Sequence, residues 1–265
     1  MKKSISFLSP LFGLFICASL FSACSSDDET SSGGNSGSSK HIAKIISEEK
    51  DGYYYEDSYT YDAQGRVTKI IQTETAPSFN TYSEITYQYG EMTIISKKTK
   101  ERTYSSGQIN SHYETHSYTL ENGLIVKDKE TQGSSSWTFT FSYDSNNCLS
   151  SISSNGSEIE SGTKIIKWSN GNLIKLGDNS YEYSSFPWPK GFPFSLKGSN
   201  MDANLIAIGY YGNIPKNLPS KYYQSEDYGF TYEYSFEGGY VTRVVTTPFV
   251  VTNKYNIFIS NFIWE

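Results

Sequence analysis

Aromatic and polar side chains alternate strictly along several segments of this chain. Successive side chains of a β-strand point to opposite faces, so such rows place all their rings on one face of a strand. On an α-helix the same rings would scatter around the axis. The pattern therefore predicts half-buried β-strands. The rows are Trp137, Phe139, Phe141 and Tyr143; Tyr228, Phe230, Tyr232, Tyr234 and Phe236; and Tyr53, Tyr55, Tyr59 and Tyr61.

Turn residues separate these rows and recur as pairs, at Asn122-Gly123, Asn170-Gly171 and Gly238-Gly239. Two-residue hairpin turns need residues that accept positive φ, which favours Asn and Gly. Strands joined by such turns pair with their neighbours in the chain. We therefore expect an all-β fold built as an antiparallel meander of hairpins.

The hairpin is also repeated in the sequence. Residues 61–70 read YDAQGRVTKI, and the second half of this stretch has the pattern Gly-x-(Val/Leu)-x-(Lys/Arg)-aliphatic. The same pattern recurs in residues 168–176 and 236–244, where the preceding loop is one residue shorter. Looser copies occur at 120–125 and 143–149. In the last copy Asn147 takes the place of the glycine, and Asn is among the few other residues that tolerate positive φ. The repeat indicates one unit of strand, tight turn and strand.

One region, residues 184–220, departs from this pattern and concentrates prolines. Within it, Met201–Gly209 is predicted to form two helical turns, with Asn200 as N-cap and Gly209 near the end. We expect this helix and loop insertion to cover or plug one end of a strongly curved sheet or partly closed barrel.

Four aromatic rings lie within residues 186–194 of this insertion, whose prolines disfavour pairing in a sheet. Two interpretations remain open. The rings pack inward and close one end of the sheet, or they stay accessible as a contact site. On the second interpretation, the candidate ligand contacts are Trp188, Phe186 and Phe192, for a glycan or another surface lipoprotein.

The N-terminus has the layout of a secretory signal peptide, with Lys2 and Lys3 followed by an apolar run that ends before Cys24. Serines and Pro10 interrupt this run, whereas a membrane-spanning helix needs about 20 apolar residues. Residues 21–24 (FSAC) resemble a bacterial lipobox. We therefore expect cleavage of residues 1–23 and attachment to outer-membrane lipid through acylated Cys24.

The residues that follow Cys24 are serines and acids, with Asp27, Asp28 and Glu29 at the centre. They resemble the export signal by which Bacteroidota-type lipoproteins reach the outer face of the outer membrane; the alternative is a merely acidic tether. Residues 30–40 are rich in Gly and Ser and predict a flexible coil reaching about 20 Å. The predicted organisation is a signal peptide (1–23), a lipid-anchored tether (24–40) and a single all-β domain (41–265).

The repeated motifs resemble those of known protein families. The stretch 61–67 (YDAQGRV) resembles the YD repeat of RHS-type proteins. Over about residues 40–250 the chain is similar to a family of Bacteroidota-type lipoproteins of unknown function with a porin-like fold, through the lipobox and the motifs at 59–67, 168–173, 204–206 and 216–220. The resemblance implies a β-fold but no activity, cofactor or catalytic residue.

A porin-like fold raises the question of a lipid-facing surface. On the predicted strand 66–75 one face carries Arg66 and Glu74, and the other carries Lys69 among threonines. A charge at the midplane of a bilayer costs about 2–4 kcal/mol. We therefore expect the sheet to lie outside the membrane.

Side chains suited to chemistry are sparse. On a strand, His112, Glu114 and His116 share one face, and we predict a solvated polar face there rather than a metal site. Cys148 is the only thiol left in the mature chain, and we expect it to be a small side chain at the start of a strand. Acids that are candidates for the carboxylate pair of a glycoside hydrolase are Glu56, Asp57, Glu226 and Asp227.

The net charge of the chain limits the kinds of molecule that it can bind. Removing residues 1–23 leaves 20 basic and 28 acidic side chains, a net charge of −8, which disfavours nucleic acid. The sequence predicts a non-catalytic binding or scaffolding module at the cell surface, for a glycan or protein partner, without a cofactor. The alternative is a surface polysaccharide hydrolase that uses paired carboxylates.

Overall fold

The computed structural model describes residues 40–49, 52–156, 161–250 and 257–265. The predicted signal peptide, Cys24 and the acidic residues Asp27, Asp28 and Glu29 lie outside this part. Within it the chain forms sixteen strands and one short helix. The strands are β1 (Ile42–Glu49), β2 (Tyr54–Tyr61), β3 (Val67–Ala76), β4 (Phe79–Tyr89), β5 (Thr93–Tyr104), β6 (Ile109–Glu121), β7 (Leu124–Gln132), β8 (Ser135–Tyr143), β9 (Leu149–Gly156), β10 (Gly162–Ser169), β11 (Asn172–Leu176), β12 (Asn179–Pro187), β13 (Asn217–Ser225), β14 (Tyr228–Glu237), β15 (Tyr240–Val250) and β16 (Phe258–Trp264).

The strands form a closed antiparallel barrel in which each strand pairs with the next one in the chain. The last strand pairs with the first, with Ser47 opposite Ser260 and Ile45 opposite Phe262. The predicted all-β meander is confirmed, and its closure is complete. A closed sheet has no edge strand to pair with another chain.

The turns follow the sequence pattern. Asn122 and Gly123 have φ of 51° and 80°, and Asn170 and Gly171 have 50° and 76°. Both residues of each pair are therefore left-handed, as a type I′ hairpin turn requires. Asn147 has φ of 58°, which confirms that it occupies the glycine position of the repeat.

The aspartate of the Tyr-Asp copies stabilises its own turn. Asp62 Oδ1 accepts hydrogen bonds from the backbone N–H groups of Gln64 (2.9 Å) and Arg66 (3.0 Å). Asp144 accepts the equivalent bonds from Asn146 (2.8 Å) and Cys148 (2.9 Å). The repeated Asp thus satisfies backbone donors in the turn that the adjacent strands leave unpaired.

Aromatic side chains at the same end of the barrel satisfy backbone groups at bulges. The register shifts by one residue at Val67 and at Leu149, and a bulge disrupts the ladder locally. Tyr89 donates to the carbonyl of Val67 (2.8 Å), and Trp168 Nε1 donates to that of Leu149 (2.8 Å). The aromatic residue of one hairpin therefore stabilises the bulge of the strand before it. The same contact joins Tyr61 to Ile42, Tyr143 to Ile125, Tyr183 to Leu173, Tyr234 to Pro219 and Trp264 to Val241.

The insertion between β12 and β13, residues 188–216, is hereafter called the plug. Its helix α1 covers Ala203–Ala207, which is shorter than the predicted Met201–Gly209. The predicted N-cap, Asn200, is wrong: Asn200 has φ of 58°, and the N-cap is Asp202. The reason is local, because the Asp202 side chain accepts from the backbone N–H of Asn204 at 2.8 Å.

The plug lies inside the barrel and forms the core with the inward-facing side chains. Its rings contact strands spaced around the wall: Phe192 lies 5.0 Å from Phe262 of β16 between ring centroids, and Tyr211 lies 5.1 Å from Phe141 of β8. Leu205 of α1 is completely buried among them. The plug connects β12 to β13, at the barrel end where each even-numbered strand is followed by the next odd-numbered one. We call this end the plug rim.

The outer wall carries many polar side chains, together with exposed apolar ones such as Tyr113, Ile165 and Ile263. Exposed ion pairs on it join neighbouring strands, with Lys69 Nζ 2.8 Å from Glu84 Oε2 on β3 and β4. A second pair joins Lys44 and Glu56 on β1 and β2 at 2.7 Å. These charges interrupt any apolar band, as the sequence of β3 predicts.

No helix in the described part of the chain is long and apolar enough to cross a membrane.

Candidate functional site

The half of the lumen that the plug does not fill is lined by polar and charged side chains; we call it the polar half. Opposed residues of an antiparallel pair share a face. The register sets Lys98 of β5 opposite Glu114 of β6, and His116 of β6 opposite Glu130 of β7. The inward-facing polar residues of β2 to β7 include Asp57, Gln72, Glu74, Thr81, Ser83, Ser96, Lys98, Lys100, Arg102, His112, Glu114, His116, Asp128, Glu130 and Gln132.

His116 lies at the centre of a compact group of carboxylates. Its Nδ1 is 2.9 Å from Asp128 Oδ2, and its Nε2 is 2.8 Å from Glu114 Oε1. Asp128 is almost completely buried, with 1% of its side chain exposed. The ring of Tyr118 stacks on the imidazole, with 5.6 Å between ring centroids. The imidazole is therefore fixed in orientation from both of its nitrogens.

These contacts keep His116 protonated. Burial lowers the pKa of His116, but its hydrogen bonds to Asp128 and Glu114 outweigh this effect and raise the pKa to about 10. The hydrogen bond from His116 in turn lowers the pKa of Glu114. Burial raises the pKa of both Asp128 and Glu130, against the attraction of His116. At neutral pH the imidazolium is the positive centre of an otherwise acidic cluster.

The His116–Asp128 pair does not have the arrangement of a nucleophilic triad. In such a triad, the second ring nitrogen takes a proton from a hydroxyl or thiol. Here Nε2 faces the carboxylate of Glu114. The cluster is therefore suited to holding charge rather than to activating a nucleophile.

A column of cations on β5 faces the same lumen. Lys98, Lys100 and Arg102 line a cleft of about 400 Å³ together with His112 and Glu114. The column is suited to binding anionic or hydroxyl-rich groups.

Two of these cations have partners on nearby strands of the same part of the wall. Arg102 contacts Glu74 at 3.3 Å and lies over the ring of Phe79, with 4.0 Å to the ring centroid. Asp57 lies near Lys98, and burial raises the pKa of Asp57 to about 6 against the opposing effects of Gln72 and Lys98.

The acids that the sequence suggested for hydrolysis do not meet. Glu56 points outward to Lys44, whereas its neighbour Asp57 points into the lumen. Glu226 and Asp227 lie in the exposed turn between β13 and β14. The structure instead gathers carboxylates around His116.

Sequence reasoning found Glu114 and His116 but missed Asp128 and Glu130 on the next strand. The Asn122-Gly123 turn pairs β6 with β7, so this turn was the one sequence feature that could have predicted which residues of β7 lie beside His116. The register counted from this turn nevertheless gives the wrong partners for His116. A bulge between Thr119 and Leu120 shifts the pairing of the two strands by one residue on the side of the bulge away from the turn.

The aromatic segment of the plug is mostly interior. Trp188 is 7% exposed and donates from Nε1 to the carbonyl of Phe192 at 3.2 Å. Phe192 is completely buried, and Phe186, at the end of β12, is 44% exposed. The burial favours the interpretation in which these rings close one end of the barrel. Ligand contact through Phe186, Trp188 or Phe192 stays a prediction.

A second cleft lies between the plug and the rim and has a volume of about 750 Å³. Its lining combines Trp188 and Tyr240 with the basic residues Lys40, Arg66 and Lys190. Arg66 is already paired with Asp62 at 2.7 Å. This cleft combines aromatic and basic side chains, whereas the polar half also contains the carboxyl groups around His116.

The comparisons with known proteins agree with this architecture. A family model described as a domain of unknown function (DUF4595) with porin-like fold matches residues 48–246. The chain belongs to this family. The match covers β2 to most of β15, hence nearly all of the barrel and the whole plug. No curated protein matches the chain.

Two solved structures are similar to this member of DUF4595. A porin-like protein from Bacteroides uniformis ATCC 8492 has 21% sequence identity and a TM-score of 0.59, with 84% of this chain and 96% of that chain covered. A porin-like protein from Bacteroides vulgatus ATCC 8482 has 10% identity and a TM-score of 0.44, with coverage of 86% and 99%. The first likeness shows the fold. The resemblance of the hairpins to YD repeats stays a prediction.

Proposed function

We propose that this protein is an outer-membrane lipoprotein whose barrel is a non-catalytic binding module at the cell surface. The predicted lipobox at Cys24 supports the anchor, and the acids Asp27, Asp28 and Glu29 support display on the outer face. The polar outer wall supports a barrel outside the bilayer, because lipid contact would bury ion pairs such as Lys69–Glu84.

The observation that carries the binding role is the division of the lumen. The plug fills one half with a packed core, and the other half presents cations and carboxylates to a cleft. Side chains fill the interior of a small barrel, whereas wider barrels leave room for a ligand or a channel. A glycan that carries acidic groups matches this lining, since Lys98 and Lys100 bind carboxylates while Glu114 accepts hydrogen bonds from hydroxyls.

An unpaired donor adds to this argument. Trp137 lies opposite Glu130 on the inner face, and its Nε1 is buried without a hydrogen-bond partner. Buried polar groups are almost always paired, so an exception is informative. Because this atom is closed off from solvent, a hydroxyl oxygen of a bound sugar would satisfy it only together with a movement of the surrounding side chains.

Binding is tested on an array that carries neutral and uronic-acid-containing oligosaccharides. We expect the protein to retain acidic glycans, and the double variant Lys98→Gln, Lys100→Gln to lose at least tenfold in retention. The matched control is the double variant Lys97→Gln, Lys129→Gln, which removes the same number of positive charges from the outer face of β5 and β7. Equal retention by all three proteins would contradict a lumenal site.

Surface display is tested separately, with protease added to intact cells. The unaltered protein should be digested, and replacement of Asp27, Asp28 and Glu29 with Ala should protect it. If the unaltered protein is already protected, it faces the periplasm, and the export part of the proposal fails while the binding part stands.

A further inference from the structure

We propose that Glu114, His116 and Glu130 form a binding site for one divalent transition-metal ion in the wall of the barrel. One ligand atom from each of the three side chains lies within 4.8 Å of the other two. The three residues come from two adjacent strands and face the lumen together, because His116 pairs directly with Glu130 and Glu114 is two residues away on the same face. The site shares Glu114 with the cleft along the β5 cations, so titration with the metal alone, in the absence of glycan, tests it separately from the proposed glycan binding.

The spacing needs little change to coordinate a metal. Nitrogen and oxygen ligands lie about 2.0–2.2 Å from zinc in a tetrahedral arrangement, so two ligands of one ion are about 3.3–3.6 Å apart. Ligand atoms that are now up to 4.8 Å apart have to close by up to about 1.5 Å, while Nε2 of His116 and Oε1 of Glu114, now 2.8 Å apart, have to separate slightly. Rotation of the two glutamate side chains supplies this movement without any change in the strands.

A buried aspartate behind His116 has the position that metal sites use for orientation. A histidine that binds a metal usually donates its other ring N–H to a carboxylate, which fixes the tautomer. Asp128 accepts from Nδ1 of His116 at 2.9 Å and is almost completely buried. Nε2 is thereby directed at Glu114, on the side where the three ligand atoms meet.

The carboxyl groups of Glu114, Asp128 and Glu130 surround His116 and make the cluster attractive to a cation. A metal ion binds the unprotonated nitrogen of an imidazole, so coordination by Nε2 displaces any proton held there to solvent. Affinity should therefore increase with pH, since the metal competes with a proton for Nε2. Charged and titratable groups that face this cluster, on its own and adjoining elements, are Lys98, His112, Glu114, Asp128, Glu130 and Asp202.

The donor set also indicates which ions bind. One imidazole nitrogen with two carboxylates suits zinc, iron or manganese, whereas calcium and magnesium prefer oxygen ligands alone. Three protein ligands leave a position for water or another group. Zinc is the most convenient probe because its binding is independent of redox state.

The test is isothermal titration of the full-length protein, purified in mild detergent, with zinc chloride. A Cys148→Ser background removes the free thiol. We expect one ion per chain, an affinity that increases with pH, and release of protons, since protons compete with the metal for its ligands. Proton release is measured by repeating the titration in buffers with different enthalpies of ionisation.

Variants identify the ligands. His116→Gln should abolish binding, Glu130→Gln should weaken it at least tenfold, and His41→Gln, which alters a histidine at the plug rim, should leave it unchanged. Thermal melts establish that each variant is folded; if His116→Gln does not fold, Glu130→Gln decides. Absence of saturable binding, or equal affinity in the Glu130→Gln and unaltered proteins, would overturn the proposal.

Discussion

The hydroxyl of Tyr87, on the inner face of β4, donates a hydrogen bond to Oδ2 of Asp202 in the plug at 2.7 Å. Oδ1 of the same carboxylate accepts from the backbone N–H of Asn204 and begins helix α1. One carboxylate therefore joins the barrel wall to the start of the helix. This contact fixes the plug against a strand far from β12 and β13, to which its ends are attached.

Removing the Tyr87 hydroxyl should loosen the plug. Tyr87→Phe leaves an oxygen of the half-buried Asp202 side chain without this donor, and losing a hydrogen bond costs about 0.5–1.5 kcal/mol, or up to about 3 kcal/mol where one partner is charged. Chemical denaturation should show a loss of this size. The control Tyr82→Phe, on the exposed face of the same strand, should be close to neutral. Equal effects of the two changes would argue against the contact.

Truncating Trp188 tests whether the aromatic segment is core. Trp188 is buried and forms an edge contact with Phe194 at 5.7 Å between ring centroids. Trp188→Ala should lower the free energy of unfolding by about 3–5 kcal/mol. Phe186→Ala, at an exposed position, should have a much smaller effect. An unchanged denaturation midpoint for Trp188→Ala, with weaker retention on a glycan array, would instead support ligand contact.

The protonation of His116 should make stability depend on pH. Its pKa is raised from 6.5 to about 10 by Asp128 and Glu114 against the effect of burial, so the folded protein holds a proton that the unfolded chain loses. This contribution is complete below about pH 6.5 and is lost as the pH rises through about 10, at up to about 1.4 kcal/mol per pH unit.

Denaturation at pH 7, 8 and 9 measures this slope. His116→Gln should flatten it, while His41→Gln, outside the cluster, should retain it. A slope that is the same in both variants would assign the dependence to other groups.

The left-handed backbone at Asn147 gives a test of the repeat. Asn147→Ala should cost about 1–2 kcal/mol, because a Cβ without a polar side chain is disfavoured at a φ of 58°. Asn147→Gly restores the residue of the parent motif and should be nearly neutral. Asn146→Ala, one position earlier, serves as control in the same thermal melts. A neutral Asn147→Ala would show that the turn does not constrain this residue.

Lipidation at Cys24 is tested in cells supplied with a clickable palmitate analogue. The protein should be labelled, and Cys24→Ala should abolish the label and block maturation. Cys148→Ser is the matched control and should be labelled normally. Labelling that persists in Cys24→Ala would remove the anchor from the proposed function.

The family resemblance and the local patterns predicted most of the architecture. Alternation of the kind seen at Trp137–Tyr143 depends only on the two-residue period of a strand. The turn at Asn122-Gly123 depends only on the φ values that these residues accept. Both features act over a few neighbouring residues, so they can be read without knowing what lies opposite.

Within the candidate site, the same reasoning placed His112, Glu114 and His116 on one face and went no further. Asp128 and Glu130 join them because a bulge after Thr119 shifts β7 by one residue. A shift of one residue moves every side chain of a strand to the other face. The partners of His116 therefore depend on this bulge, which the repeated sequence motif does not predict.

The sequence by itself determined the strands, the hairpin turns and the left-handed backbone at Asn147, since each follows from local backbone preferences. Only the tertiary structure decided that Ser47 pairs with Ser260 to close the barrel, that Trp188 is buried, and that Asp128 holds His116. These outcomes require segments distant in the chain to meet. Their pairing is set by hydrogen-bond register and by the competition for space inside the lumen, which local patterns do not encode.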